Sequence, residues 1–160
     1  MNKKLLLEQI VVALQEVHES AVKAADLAHN AATDDESKAE NKYDTQGLEA
    51  AYLAHGQSQR VAECKDDLIA IEKLQAVYFN SETPISIGAL VVLEDNQNNE
   101  QWLFLAPAAG GLKLNFDGQK VTLITPSAPL GKMLCGQFVG DVIEVNIAGN
   151  IRHYEIIATY

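Results

Sequence analysis

The feature that most constrains this chain is where its helix breakers fall. All four prolines (84, 107, 126 and 129) and eight of the ten glycines lie beyond residue 80, and before it stand only Gly47 and Gly56. The first half is rich in Ala, Leu, Glu and Gln, which favour helix, with little to interrupt them. Apolar residues there recur at spacings of three and four. One set is Leu6, Ile10, Ala13, Val17, Ala21, Ala24, Ala28 and Ala31; the other is Leu48, Ala51, Ala54, Ser58, Val61, Cys64, Leu68, Ile71, Leu74 and Tyr78. Each set makes one apolar stripe along a helix. Between them the segment Thr33–Gly47 is almost wholly polar. The pattern predicts two long helices folded back as an antiparallel coiled-coil hairpin, with Leu6 facing Leu74 and Val17 facing the region of Glu63. Large side chains gather at the open end and small ones toward the turn. The hairpin is therefore expected to narrow toward its tip and to draw its stability from its base. An arm of about 30 residues is roughly 45 Å long.

The second half changes character. Ala89–Glu94, Trp102–Ala106, Leu112–Phe116, Val121–Thr125, Val142–Ile147 and Arg152–Ala158 are short, rich in Val, Ile, Leu and aromatics, and bounded by Gly, Asn, Asp or Pro. They read as strands. One helix-like segment interrupts them, from Pro129 to Cys135, with Gly136 as its stop. The expected class is α+β: a helical hairpin over 1–80, a linker at Ser81–Gly88, and a mostly antiparallel sheet with one packed helix over 81–160.

The formal charge is −10, from 12 basic and 22 acidic residues. That balance argues against coating nucleic acid directly. No apolar run approaches membrane-spanning length, and MNKKLLLEQI is too short for a secretory core, so a cytoplasmic protein without a membrane partner is expected. Cys64 and Cys135 lack metal or redox spacing and read as a reduced pair. Asp34, Asp35, Glu36, Glu40 and Asp44 crowd the predicted tip beside Lys38 and Lys42. Carboxylates suit a hard cation such as Mg2+, and helical spacing aligns Glu36, Glu40 and Asp44. The plain alternative is a solvated charged turn. His29 and His55 fall near one another in the hairpin pairing, but no third ligand accompanies them. No nucleophile elbow, phosphate-binding loop or dinucleotide fingerprint is present, and no organic cofactor is expected.

The block Ser127–Ile157 is the most specific signal. Pro129, Leu130, Leu134, Gly136, Val139, Gly140, Asp141, Glu144, Val145, Tyr154, Glu155 and Ile156 match a Pro-Leu-led helix, a Val-Gly-Asp strand and a Tyr-Glu-Ile strand. In these residues the chain resembles the C-terminal domain of the bacterial GreA/GreB transcript-cleavage factors, and the order of parts resembles theirs over nearly the whole length. The resemblance implies an FKBP-like sheet domain that grips RNA polymerase, with Thr125, Ser127 and Pro129 in the docking loop. It also implies a coiled coil that enters the secondary channel. Its tip would reach the RNA 3′ end, held by the polymerase, and share a Mg2+ ion there. Glu36 and Glu40 are the candidate catalytic carboxylates, with Asp35 and Asp44 as further metal ligands.

The chain departs from the family pattern at two places. The tip lacks the Asp-x-x-Glu spacing: one register places Ser37 at the Asp position, the other places Ala39 at the Glu position. Ser127 stands where the family has an acidic residue two before its proline. The first reading is thus a cleavage-stimulating elongation factor that serves the polymerase's own hydrolytic activity. The second is a channel-binding regulator without cleavage. A stand-alone prolyl isomerase and a hairpin-mediated self-association are the remaining alternatives, and a monomer is expected.

Overall fold

A computed structural model describes residues 1–33, 46–147 and 149–160. In chain order the elements are helices α1 (Lys3–Thr33) and α2 (Gln46–Glu72), then strands β1 (Leu90–Asp95), β2 (Glu100–Leu105), β3 (Lys113–Phe116) and β4 (Gln119–Ile124). The short helix α3 (Pro129–Leu134) and strands β5 (Val142–Ile147) and β6 (Asn150–Thr159) follow. The chain thus forms the α+β order read from its sequence. It divides into two compact units, one of Met1–Val11 with Ala70–Tyr160, the other of Val12–Ile69.

In the helical unit, Leu14, Ala21, Ala28 and Cys64 are the buried apolar residues among those described. The α1 positions lie seven apart, the repeat of a coiled-coil seam. On α2 the half-buried line is Gly47, Ala50, Ala54, Gln57 and Val61, leading to Cys64. The stripe expected through Leu48, Ala51 and Ser58 is exposed, with Leu48 57% accessible. A spacing of 3.6 drifts about 20° per heptad from a 3.5-residue seam, and the seam wins. At its other end α2 stops at Glu72 rather than near Tyr78. Beyond it the main chain bonds to distant partners: Val77 O accepts from the Lys3 ammonium and Asn80 O from the Thr159 hydroxyl.

The sheet has the order β3-β4-β2-β1-β6-β5. Its pairings are antiparallel except β2 with β4, which is parallel and was not foreseen. A two-residue turn explains it. Asp117 and Gly118 both take positive φ, 49° and 80°, the type I′ geometry that binds β3 to β4 as a hairpin. Of that hairpin, β4 lies beside β2 and runs in its direction. The strand β1 is buried at four successive residues, Leu90 to Leu93. Val91 and Leu93 join a core with Leu103, Leu105, Ile143, Val145, Tyr154, Ile156 and Leu134 of α3. Leu90 and Val92 share the opposite face with Phe104, Val121 and Leu123 by strand register. The expected linker is part of the core: Ile85 is 1% exposed, and it donates to Gln137 O and accepts from the Gly136 amide.

Lys3, the first residue of α1, is 1% exposed. Its ammonium donates to the main-chain oxygens of Val77, at 2.6 Å, and of Tyr160. It also lies 4.5 Å from the centre of the Phe79 ring. Burial lowers its pKa from 10.5 to about 8. An unfolded lysine keeps its proton until about pH 10.4, so between roughly pH 8 and that value the unfolded chain binds more protons. Stability should therefore rise with pH across that window. Chemical unfolding at pH 7.5 and at pH 10 checks this: the rise should shrink in Lys3→Met, and an equal rise in both proteins would refute it.

Candidate functional site

The loop between β4 and α3 is built from two constraints. At its start, Thr125 Oγ1 and Ser127 Oγ share a hydrogen bond of 2.8 Å. At its end, Pro129 occupies the first turn of α3, where a missing N–H costs nothing. The Ala128 amide donates to Thr125 O at 3.0 Å, turning the chain into the helix. Gly131, fully within α3, makes that turn possible. A Cβ there would overlap the Thr125 carbonyl oxygen and stand 2.8 Å from its carbon. Thr125 is half-buried, whereas Ser127 and Pro129 are exposed. The loop Pro107–Gly111 lies alongside: Ala106 donates to Ile124 O at 2.8 Å, and a Cβ on Gly110 would sit 3.2 Å from the Thr125 methyl.

The residues after α3 explain the rest of the sequence block. Gly136 and Gln137 pair with Ile85. Gly140 donates to Ile156 O, and Ile156 donates back to Asp141 O. The Asp141 carboxylate accepts from the Phe138 amide at 2.8 Å. These bonds make the Val-Gly-Asp run a lock on the start of β5. Together they hold the β4–α3 loop on a rigid frame and leave Ser127 and Pro129 outward.

The structure thus brings Thr125, Ser127 and Pro129 together in one turn. Asp35, Glu36, Glu40 and Asp44, with Lys38 and Lys42, lie outside the described residues. His29 and His55 are exposed, and among the described residues no three His, Cys, Asp or Glu side chains are placed to hold a metal. No described helix is long and apolar enough to cross a membrane. Sequence reasoning missed Gly131, whose signal was a glycine inside a Pro-led helix. It also missed a polar cleft of about 300 Å³ between the Asp95–Gln97 turn and Ile151–Tyr154. Asp95 is not a free ligand there. The Asn99 amide and side chain and the Gln97 amide bind its carboxylate and lower its pKa, with a smaller contribution from Arg152.

The chain thus combines a sheet frame that presents an exposed loop with long helices in a second unit. The hydroxyls of Thr125 and Ser127 bond to each other, and neither bonds a base among the described residues. Comparison with known proteins makes the class specific. No family model matches the chain. The transcription elongation factor GreA of Mesorhizobium japonicum is 31% identical over 112 residues, 68% of each chain. That of Syntrophus aciditrophicus is 26% identical over 121 residues, 76% of this chain and 70% of the relative. The solved GreA factor homolog 1 of Thermus thermophilus aligns over 96% of this chain and 92% of its own, at 23% identity and a TM-score of 0.38. The chain belongs to the GreA family of transcription elongation factors.

Gly131→Ala should lower the unfolding free energy by about 3 kcal/mol, since the new methyl meets main chain that cannot rotate away. Lys132→Ala, one residue on and exposed, should change it by less than about 0.5 kcal/mol. Urea titrations of the two variants decide it, and equal midpoints would contradict the close approach.

Proposed function

We propose that this chain binds RNA polymerase through the β4–α3 loop, extends its helical arm into the secondary channel, and stimulates cleavage of backtracked RNA. The observation that carries this reading is the 31% identity to a GreA factor over 68% of the chain. Two physical features support it. The loop at Ser127 and Pro129 is exposed on a fixed frame, as a docking element needs. Helix α1 has 31 residues, so it reaches about 45 Å from Lys3.

The tip's donor set is carboxylate oxygen, which fits Mg2+. Glu36 and Glu40 would hold the ion, with Asp35 and Asp44 beside them. When bound, that ion supplies positive charge for hydrolysis at the polymerase's own centre. The chain's part is to deliver ligands and to keep the local field negative. Asp34–Asp44 has five acids against two bases. The polymerase already holds the transcript, so an acidic factor needs no direct RNA affinity.

A second reading is favoured by the tip's own sequence. Ser37 or Ala39 falls where the family has a carboxylate, which leaves one matched acid in either register. In that case the chain occupies the channel and tunes synthesis without promoting cleavage. Stalled, backtracked elongation complexes with Mg2+ separate the two. Wild-type protein should speed release of 3′ fragments, and Glu36→Ala with Glu40→Ala should cut that rate about tenfold or more while polymerase affinity stays within about twofold. Tight binding with slowed synthesis and no added cleavage would establish the regulator instead. A chain that does not bind polymerase would remove both.

A further inference from the structure

The twelve Lys and Arg residues of this acidic chain include one that is almost sealed from water. Burying an ammonium is costly unless specific bonds hold it, and apolar residues of similar shape often serve stability as well. Lys3 is 1% exposed, and its hydrogen bonds go to the main-chain oxygens of Val77 and Tyr160. Those oxygens belong to the segment after α2 and to Tyr160, which pairs with Leu90 in both directions. The Tyr160 ring stacks on Trp102 of β2, at 6.1 Å between centroids and 7° between planes. The first residue of α1 is therefore tied to three other parts of the sheet unit.

Neighbouring Leu6 and Ile10 are also buried, but apolar burial is non-directional and tolerates sliding. Hydrogen bonds have preferred angles, so the ammonium can fix what the apolar contacts only attract. A reacting centre can lose about a hundredfold in rate from a misplacement near 1 Å.

We propose that Lys3 is a positioning residue, whose ammonium clasp locks the root of α1 within the sheet unit, and that cleavage needs this root locked. The clasp stands on the contacts of Lys3 itself, while its consequence for cleavage rests on the function proposed above.

Two measurements test the two parts separately. The first needs no polymerase. Amide hydrogen exchange at Leu7–Val11 should quicken about tenfold in Lys3→Met, with β2 and β4 amides unchanged and the emission of Trp102 shifted. Lys4→Met, at an exposed neighbour, should change neither. Unaltered exchange and emission in Lys3→Met would overturn the clasp. Lys3→Ala, which also removes the stem, should loosen the root at least as far, and a root as tight as wild type in that variant would overturn it equally. The second measurement uses backtracked complexes. Lys3→Met should keep its half-saturating concentration within about twofold while its maximal cleavage rate falls about tenfold. An undiminished maximal rate with a loosened root would overturn the positioning role. Wild-type protein that gives no cleavage would sink the cleavage reading, and the exchange result would still decide the clasp.

Discussion

The sheet unit depends on a strand that is apolar on both faces. Four successive residues of β1, Leu90 to Leu93, are buried, so each side of the sheet needs a cover. One cover is α3, through Leu134 and the partly buried Leu130. The same compact unit takes in Met1–Val11 as well as Ala70–Tyr160, and in those helix roots Leu6, Ile10 and Ile71 are fully buried. Leu90, Val92, Phe104, Val121 and Leu123 on the other face are sealed from water too, so α3 is not the unit's only cover.

The same frame shapes the β4–α3 loop. The turn into α3 needs a residue without a side chain where the helix passes Thr125, and it needs Ile85 to hold the helix's far end. Ser127 stays exposed while its hydroxyl bonds that of Thr125. This internally bonded hydroxyl pair carries no charge, so it contributes shape and hydrogen-bonding capacity and little electrostatic steering. Whatever steering the molecule has comes from its net charge of −10.

Much of this was legible in residue spacing. The strands and α3 fell where β-branched runs and the Pro129–Gly136 punctuation placed them, because local propensity and burial agreed there. The seam of α2 was misread by one position toward its start, since 3.6- and 3.5-residue periods diverge slowly and Leu48 is apolar yet exposed. The end of α2 was overrun because Leu74 and Tyr78 continue the helical spacing, while the segment after Glu72 leaves the helix and bonds Lys3 and Thr159, far away in sequence. No local pattern reports such partners. The parallel pairing of β2 with β4 was hidden for a related reason: an Asp-Gly turn announces a hairpin but not which of its strands faces the sheet. In the β4–α3 loop, Thr125, Ser127 and Pro129 were singled out through the family resemblance, while the need for Gly131 follows from a close approach that only coordinates display.

The pairing of β1 with β6 also governs how the molecule comes into being. The two helices can form from local contacts as soon as their residues are free to coil. The central strand β1 can pair early with β2, but its other edge must wait for a partner whose first residue is Asn150, and Lys3 must wait for a partner 157 positions away. Closing such long loops is slow, and it leaves an apolar strand unprotected while synthesis continues. The nascent chain is thus most vulnerable to aggregation after β1 has emerged and before β6 arrives. Mutations that merely delay that closure would be felt as lost yield rather than as lost activity of the finished protein.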